Sequence, residues 1–274
     1  MKIDPVIPEL AHGRSNVLGV GITPLNLELA QECLFAGANC PGFTGYVTIT
    51  GVHGVMESQK DEELRLIHNR SFLSTPDGMP MVWMGRWNGY GHMNRVYGPE
   101  FMLNVFERSV ESGHRHFLFG GAKGVASDLK FELEKRFPGS IVVGTRTPPF
   151  RPLNEAEELE LMYEILETRP HFIWVGLSTP KQERFMASFL EKYQKQFRNW
   201  GQGLVFIGVG AAFDFHTGRI SQAPFWVQRS GFEWLYRVCA DPKRLWKRYA
   251  VNNARFIACV LPAMMGLKKY DITK

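Results

Sequence analysis

Long apolar runs are what this 274-residue sequence most lacks. Its longest, residues 256–267 (FIACVLPAMMGL), spans twelve residues, is broken by Pro262, and falls short of the roughly 20 needed to cross a bilayer. A spanning helix is therefore not expected. The opening residues, MKIDPVIPEL, hold no apolar stretch of the signal-peptide kind, so the chain is read as intracellular. Cysteine is sparse. Cys33, Cys40, Cys239 and Cys259 show no metal-ligand spacing and read as reduced core thiols. Three ligand signatures are also missing: G-x-G-x-x-G, the Walker lysine motif and D-x-D. Their absence argues against a dinucleotide enzyme, an ATPase and a diphosphate held through metal. What remains, 45% apolar and 22% charged, is ordinary for a globular chain and excludes disorder, collagen and coiled coil.

The net charge of +5 is unevenly placed. From Arg219 onward, eleven Lys/Arg face only Glu233, Asp241 and Asp271, a balance of +8 that leaves −3 on everything before it. A basic final fifth on a slightly acidic body suggests a polyanion site: nucleic acid, anionic lipid or diphosphate.

Periodicity gives helices alternating with apolar strands. Thr23-Pro24 reads as an N-cap with proline at the first helical position, opening a helix that closes on Gly37. A strand is expected at 46–50 and an exposed helix at 58–69, then a helix from Gly98-Pro99-Glu100 to Gly113. Strands at 116–119, 140–143, 172–175 and 204–207 alternate with helices at 125–137 and 154–168. Asn154 and Glu157 form a capping box at the second of these helices. Such runs predict an α/β, Rossmann-like, mainly parallel sheet with helices on both faces. Strands stop near residue 222. The sequence therefore divides into a body, 1–222, and a basic, aromatic, helical appendage, 223–274.

Three strands run into glycine: FLFGGAKG, FIWVGLSTPKQE and VFIGVGAAFDF. Ligands of open parallel sheets bind at the carboxyl ends of the strands, where glycine lets backbone N–H groups approach an anion. In the second turn, Thr179, Pro180 and Gln182 read as N-cap, first-turn proline and capping-box acceptor. Three such turns in one sheet favour a nucleotide or sugar-nucleotide site. Asp77, in SFLSTPDGMPMVW, is either a turn former or a general base at the sheet mouth. Asp214, in FDFHTG, either orients a sugar hydroxyl or caps a turn. Arg244 and Arg248 share one helix face behind Asp241-Pro242, with Arg237 on the preceding segment; guanidinium forks suit phosphate oxygens.

Taken in order, TPDG, the R-V-x-G-P-E segment at 95–100, FLFGG, PPFRPL, VGLSTPKQE, GVGAAFDFHTG, APFW, FEWLYR and DPKRLWKRY resemble the WecG/TagA/CpsF glycosyltransferases (glycosyltransferase family 26), bacterial enzymes of cell-wall and surface-polysaccharide assembly. The resemblance covers roughly residues 39–249. It implies inverting, metal-independent transfer from a UDP-sugar, which is a substrate rather than a cofactor, to a polyprenyl-diphosphate-linked acceptor. It also implies an appendage that docks at the membrane and completes the active site. By the same comparison Asp77 is the catalytic base. Thr48 and Thr50 fall near the family's T-x-N strand end, where this chain reads T-I-T-G-V-H-G-V and His53 stands as a replacement contact. Gly120, Gly121, Pro180, Gln182 and Gly210 fall on the nucleotide side, and Arg237, Arg244 and Arg248 on the diphosphate. The expected partners are the UDP-sugar, the lipid-linked glycan and an anionic membrane surface at the inner face of the cell membrane, with no nucleic acid; a homo-oligomer stays open. The alternative is a basic nucleic-acid-binding or membrane scaffold protein without turnover.

Overall fold

Strands that are apolar on both sides need cover on both sides, and the computed structural model supplies it. It describes residues 13–231, 233–240 and 242–273. An antiparallel hairpin comes first, β1 (Ser15–Val17) and β2 (Val20–Ile22), turning through Leu18 and Gly19 at φ 54° and 82°. Then follow α1 (Leu27–Asn39), β3 (Thr44–Thr50), α2 (Val52–Ser58), α3 (Glu62–Arg70), β4 (Leu73–Pro76), α4 (Met79–Trp87) and α5 (Gly98–Ser112). The second half runs β5 (Arg115–Gly120), α6 (Val125–Arg136), β6 (Ile141–Arg146), α7 (Glu155–Thr168), β7 (Phe172–Gly176), α8 (Lys181–Phe197), β8 (Leu204–Gly208) and α9 (Ala212–His216). Three more helices are α10 (Phe225–Ser230), α11 (Glu233–Ala240) and α12 (Pro242–Met264).

The main sheet is parallel throughout, in the order β4-β3-β8-β7-β5-β6. Side chains alternate across it with a period of two. On β7, Phe172 and Trp174 join a cluster with α1, α5 and α6, whereas Ile173 and Val175 join one with α7 and α8. A third cluster lies beside the sheet. It unites the hairpin (Val17, Val20, Ile22) with Val55 and Met56 of α2, Met81 and Met84 of α4, and Phe256 and Val260 of α12. Helix α12 thus buries an apolar face against the body. The tail beyond α12 returns to the hairpin and α3: Asn16 Nδ2 donates to the Tyr270 carbonyl, and Asn69 Nδ2 of α3 to that of Thr273 (2.5 and 2.7 Å).

The α/β reading holds, with local corrections. The first helix starts at Leu27, because Asn26 caps it by accepting from Leu29 N (2.9 Å). Thr23 is used elsewhere. Its N–H and hydroxyl pair with the Ser74 backbone at 2.8 and 2.9 Å, which covers the open edge of β4. The helix expected at 58–69 starts only at Glu62, because Asp61 caps α3 through Leu64 N (3.0 Å), and Ser58 instead ends the separate helix α2. The capping box of Asn154 and Glu157 is present. Of the four cysteines expected in the core, Cys33 is buried, Cys40 and Cys259 are half-buried, and Cys239 is exposed. Among the described residues no helix is long and apolar enough to cross a membrane.

Burial holds His68, His171 and His216 down to about 4, with Arg14 the further cause at His68, and His114 and Arg115 at His171. Unfolded histidine titrates near ~6.5. Between these values the unfolded chain binds more protons, so stability falls as pH falls through that window. Burial also lowers His114 and His116, which act in the same sense, whereas Glu183, whose pKa burial raises, acts in the opposite one. The urea midpoint is expected to drop steadily from about pH 7 to about pH 4.5; a flat midpoint would contradict this assignment.

Candidate active site

The carboxyl ends of β4 and β3 meet first. Asp77 follows the last residue of β4, and its N–H donates to the Thr50 carbonyl at the end of β3 (2.9 Å). The next residue on that side is Gly51, where a Cβ would stand 3.1 Å from the Asp77 carbonyl and 3.5 Å from its Oδ2. Glycine at 51 therefore lets the half-buried carboxyl fold down against β3. Gly78, at φ 84°, turns the chain into α4, an element not expected from the sequence.

A returning segment completes this end. Val96 N donates to the Pro76 carbonyl (2.9 Å), which brings Arg95 alongside the Asp77 turn. The Arg95 guanidinium lies 4.0 Å from the centre of the Tyr97 ring and is ion-paired with Glu233 of α11, both side chains largely buried. His53, near the start of α2, accepts at Nδ1 from the Asn252 amide of α12 (3.1 Å). Two contacts thus tie the appendage to the Asp77 end of the sheet. The side chains of Arg237, Arg244 and Arg248 lie outside the described residues.

Thr48 and Thr50 sit lower. Both are fully buried, and Thr50 Oγ1 lies 3.1 Å from Thr48 Oγ1, 2.9 Å from Ser74 Oγ and 3.1 Å from His68 Nδ1. This hydroxyl ladder forms the floor beneath the Asp77 turn.

The glycine turns form the other end. The chain leaves β5 toward β6 at one edge and leaves β7 toward β8 in the opposite direction, so β5 and β7 flank the switch point. There Gly120, at φ 135°, lies so close to β7 that a Cβ would be 2.7 Å from the Gly176 backbone. Gly121 N donates to the Gly176 carbonyl (3.0 Å), and the buried Phe213 ring closes over Gly176. Pro180 is the N-cap residue of α8 and no side chain caps this helix, which corrects the expected box. The Thr179 hydroxyl donates instead to Glu183 (2.8 Å), and Gln182 Oε1 receives Gly210 N–H (3.0 Å). Asp214 lies in the first turn of α9, where its carbonyl accepts from Arg219 N and Ile220 N (2.9 and 3.2 Å).

The expected residues thus fall into two groups, Asp77 with Thr48, Thr50 and His53, and Gly120 and Gly121 with Pro180, Gln182 and Gly210. Four strand spacings separate β4 from β5, roughly 19 Å, so the mouth is an elongated one. A groove of about 650 Å³ between α3 and α8, lined by Thr44, Tyr46, Arg70 and Arg184, opens at the other end of β3, away from these turns. Among the described residues no three His, Cys, Asp or Glu side chains converge as a metal set.

The profile of the Glycosyl transferase WecG/TagA/CpsF family matches residues 15–270. The chain belongs to this family. Two relatives carry the name N-acetylglucosaminyldiphosphoundecaprenol N-acetyl-beta-D-mannosaminyltransferase. One, from Bacillus spizizenii (strain ATCC 23059 / NRRL B-14472 / W23), is 26% identical over 186 residues, 68% of this chain and 66% of the relative. The other, from Bacillus subtilis (strain 168), is 25% identical over 214 residues, 78% and 72% of the two chains. The chain therefore spans about two thirds of the length of these curated relatives. Sequence reasoning left three charged residues unassigned: Arg95, Glu183 and Glu233. Glu183 had a readable signal, an acid on the apolar face of α8 at helical spacing from Met186 and Leu190.

Replacing Gly120 by alanine forces a left-handed backbone and a clash with Gly176. A loss of about 1–3 kcal/mol in urea unfolding is expected, and unchanged stability would show that the β5–β7 approach is looser than described.

Proposed function

We propose that the chain moves a sugar, with inversion and without metal, from a UDP-sugar to a polyprenyl-diphosphate-linked acceptor, Asp77 acting as general base. The observation that supports this most directly is the seat of Asp77. It stands at the carboxyl end of the sheet, fixed to β3 through its own N–H, next to a turn that brings Arg95. Membership of a glycosyl transferase family supplies the reaction class. The relatives' names supply the acceptor class, N-acetylglucosaminyl diphosphoundecaprenol, and an N-acetylhexosaminyl donor.

In this reading an acceptor hydroxyl attacks the anomeric carbon from the face opposite UDP. The new C–O bond forms as the bond to the diphosphate oxygen breaks, and the leaving UDP takes that electron pair. Asp77 removes the hydroxyl proton. Charge then grows on the diphosphate, and each well-placed cation or dipole there stabilises the transition state by about 3–4 kcal/mol. Arg237, Arg244 and Arg248 are proposed for this work, with the glycine turns and the N-terminus of α8 on the nucleotide side.

The appendage is proposed to rest on the membrane from which the acceptor projects. On α12, Asn252, Phe256 and Val260 face inward, while Trp246, Ile257 and Leu261 are more than half exposed. Trp226, Met265 and Leu267 are more exposed still. An apolar, tryptophan-bearing face beside a +8 charge suits an interface with anionic lipid.

A panel of UDP-sugars, offered in EDTA with a short-chain polyprenyl-diphosphate N-acetylglucosamine, tests the transfer. Asp77→Asn should lower kcat by about 10²–10⁴ with little change in thermal unfolding; full activity in that variant would sink the base. Sedimentation with phosphatidylglycerol vesicles tests the docking. The Trp246→Ser/Leu261→Ser variant should lose most of its retention, and equal retention would remove the membrane face.

A further inference from the structure

Glu183 lies on the inward face of α8 with Met186, Phe189 and Leu190, and is 0% exposed. Its Oε1 accepts twice, from the Thr179 hydroxyl (2.8 Å) and from Gln182 Nε2 (3.1 Å). Its Oε2 has no partner among the described residues. The cations nearest in sequence are engaged elsewhere: Lys181 stands over Phe150, and Arg184 pairs with Asp61 and Glu63. Burial raises the pKa of this carboxyl, and the hydrogen bonds from Thr179 and Gln182 act against that rise.

The neighbouring amide has only one good orientation. Gln182 is nearly fully buried, with Nε2 directed at Glu183 and Oε1 receiving the N–H of Gly210. Flipping it would aim an NH₂ group at the Gly210 N–H, donor against donor, and would leave Glu183 facing a carbonyl. Space is equally restricted. A Cβ at Gly208 would stand 3.0 Å from Gln182 Nε2, and Gly210 is held at φ 54°. One acid therefore ties together the β7–α8 turn, through Thr179, and the β8–α9 turn, through Gln182.

We propose that Glu183 is a positioning residue: by accepting from Thr179 and Gln182 it fixes the amide orientation that holds Gly210, and so sets the shape of the two turns on the donor side of the site. The effect on turnover rests on the UDP-sugar reading above; the lock itself does not. If Glu183 acts through Gln182, removing either side chain releases the same turn, and removing both adds nothing further.

The experiment uses the full chain, with amide exchange at Gly210 followed by NMR and donor KM measured beside it. Gln182→Ala and Glu183→Ala should each raise Gly210 exchange and donor KM about tenfold, and the double variant should also change them about tenfold rather than a hundredfold. Glu183→Gln, which keeps the accepting oxygen, should return both most of the way. Glu183→Met, of similar bulk and without the oxygen, stands in if the alanine cavity unfolds the chain. Unaltered Gly210 exchange without Glu183, multiplicative effects in the double variant, or increased exchange with donor KM unmoved would each overturn the proposal. Lack of turnover in the unaltered chain would count against the transferase reading alone, because the exchange arm needs no substrate.

Discussion

A sheet covered on both faces can offer backbone to a ligand only at its strand ends, and this constraint organises the molecule. Because all six strands run parallel, every carboxyl end lies on one side. The Asp77 turn, the Gly120-Gly121 turn, the Thr179-Pro180 turn and the Gly208–Gly210 turn are therefore forced onto one rim. No residue among them has to be brought there by a special device. The cost falls on the packing beneath, where close approaches such as Gly120 to Gly176 leave no room for a side chain.

The rim divides by chemistry. On the β4–β3 side it holds a carboxylate, an ion-paired arginine and a buried hydroxyl ladder; on the β5–β7 side it holds backbone groups and glycine. Such a division suits the proposed donor, with its phosphate-rich end and its sugar end. The appendage sits at the Asp77 end, since its described polar contacts with that rim, Glu233 to Arg95 and Asn252 to His53, fall there.

How much of this was legible follows from the range of each interaction. The apolar runs of β5, β7 and β8 and the capping box of α7 are local, and the sequence shows them directly. The hairpin escaped because strands of three residues have no period to detect. Helix α4 escaped because Pro80 and the Met/Trp mixture follow an Asp-Gly that reads as a turn. Asp77 stood out through its neighbours in sequence. Arg95 with Glu233 is a pair 138 residues apart, which no local pattern encodes. Thr179-Pro180 was misread for a related reason: the cap looked local, but Glu183 and Gly210 had stronger claims on Thr179 and Gln182.

The returning tail gives the appendage a different mechanical character from a flap. It leaves the body after Ala223, and its far end is clasped near Tyr270 and Thr273 by Asn16 and Asn69 of the body. A segment held at both ends is an arch. With Phe256 and Val260 also packed among α2, α4 and the hairpin, it cannot swing on one hinge while both clasps hold, so the proposed lipid-linked acceptor would have to enter from the side rather than under a lifted flap.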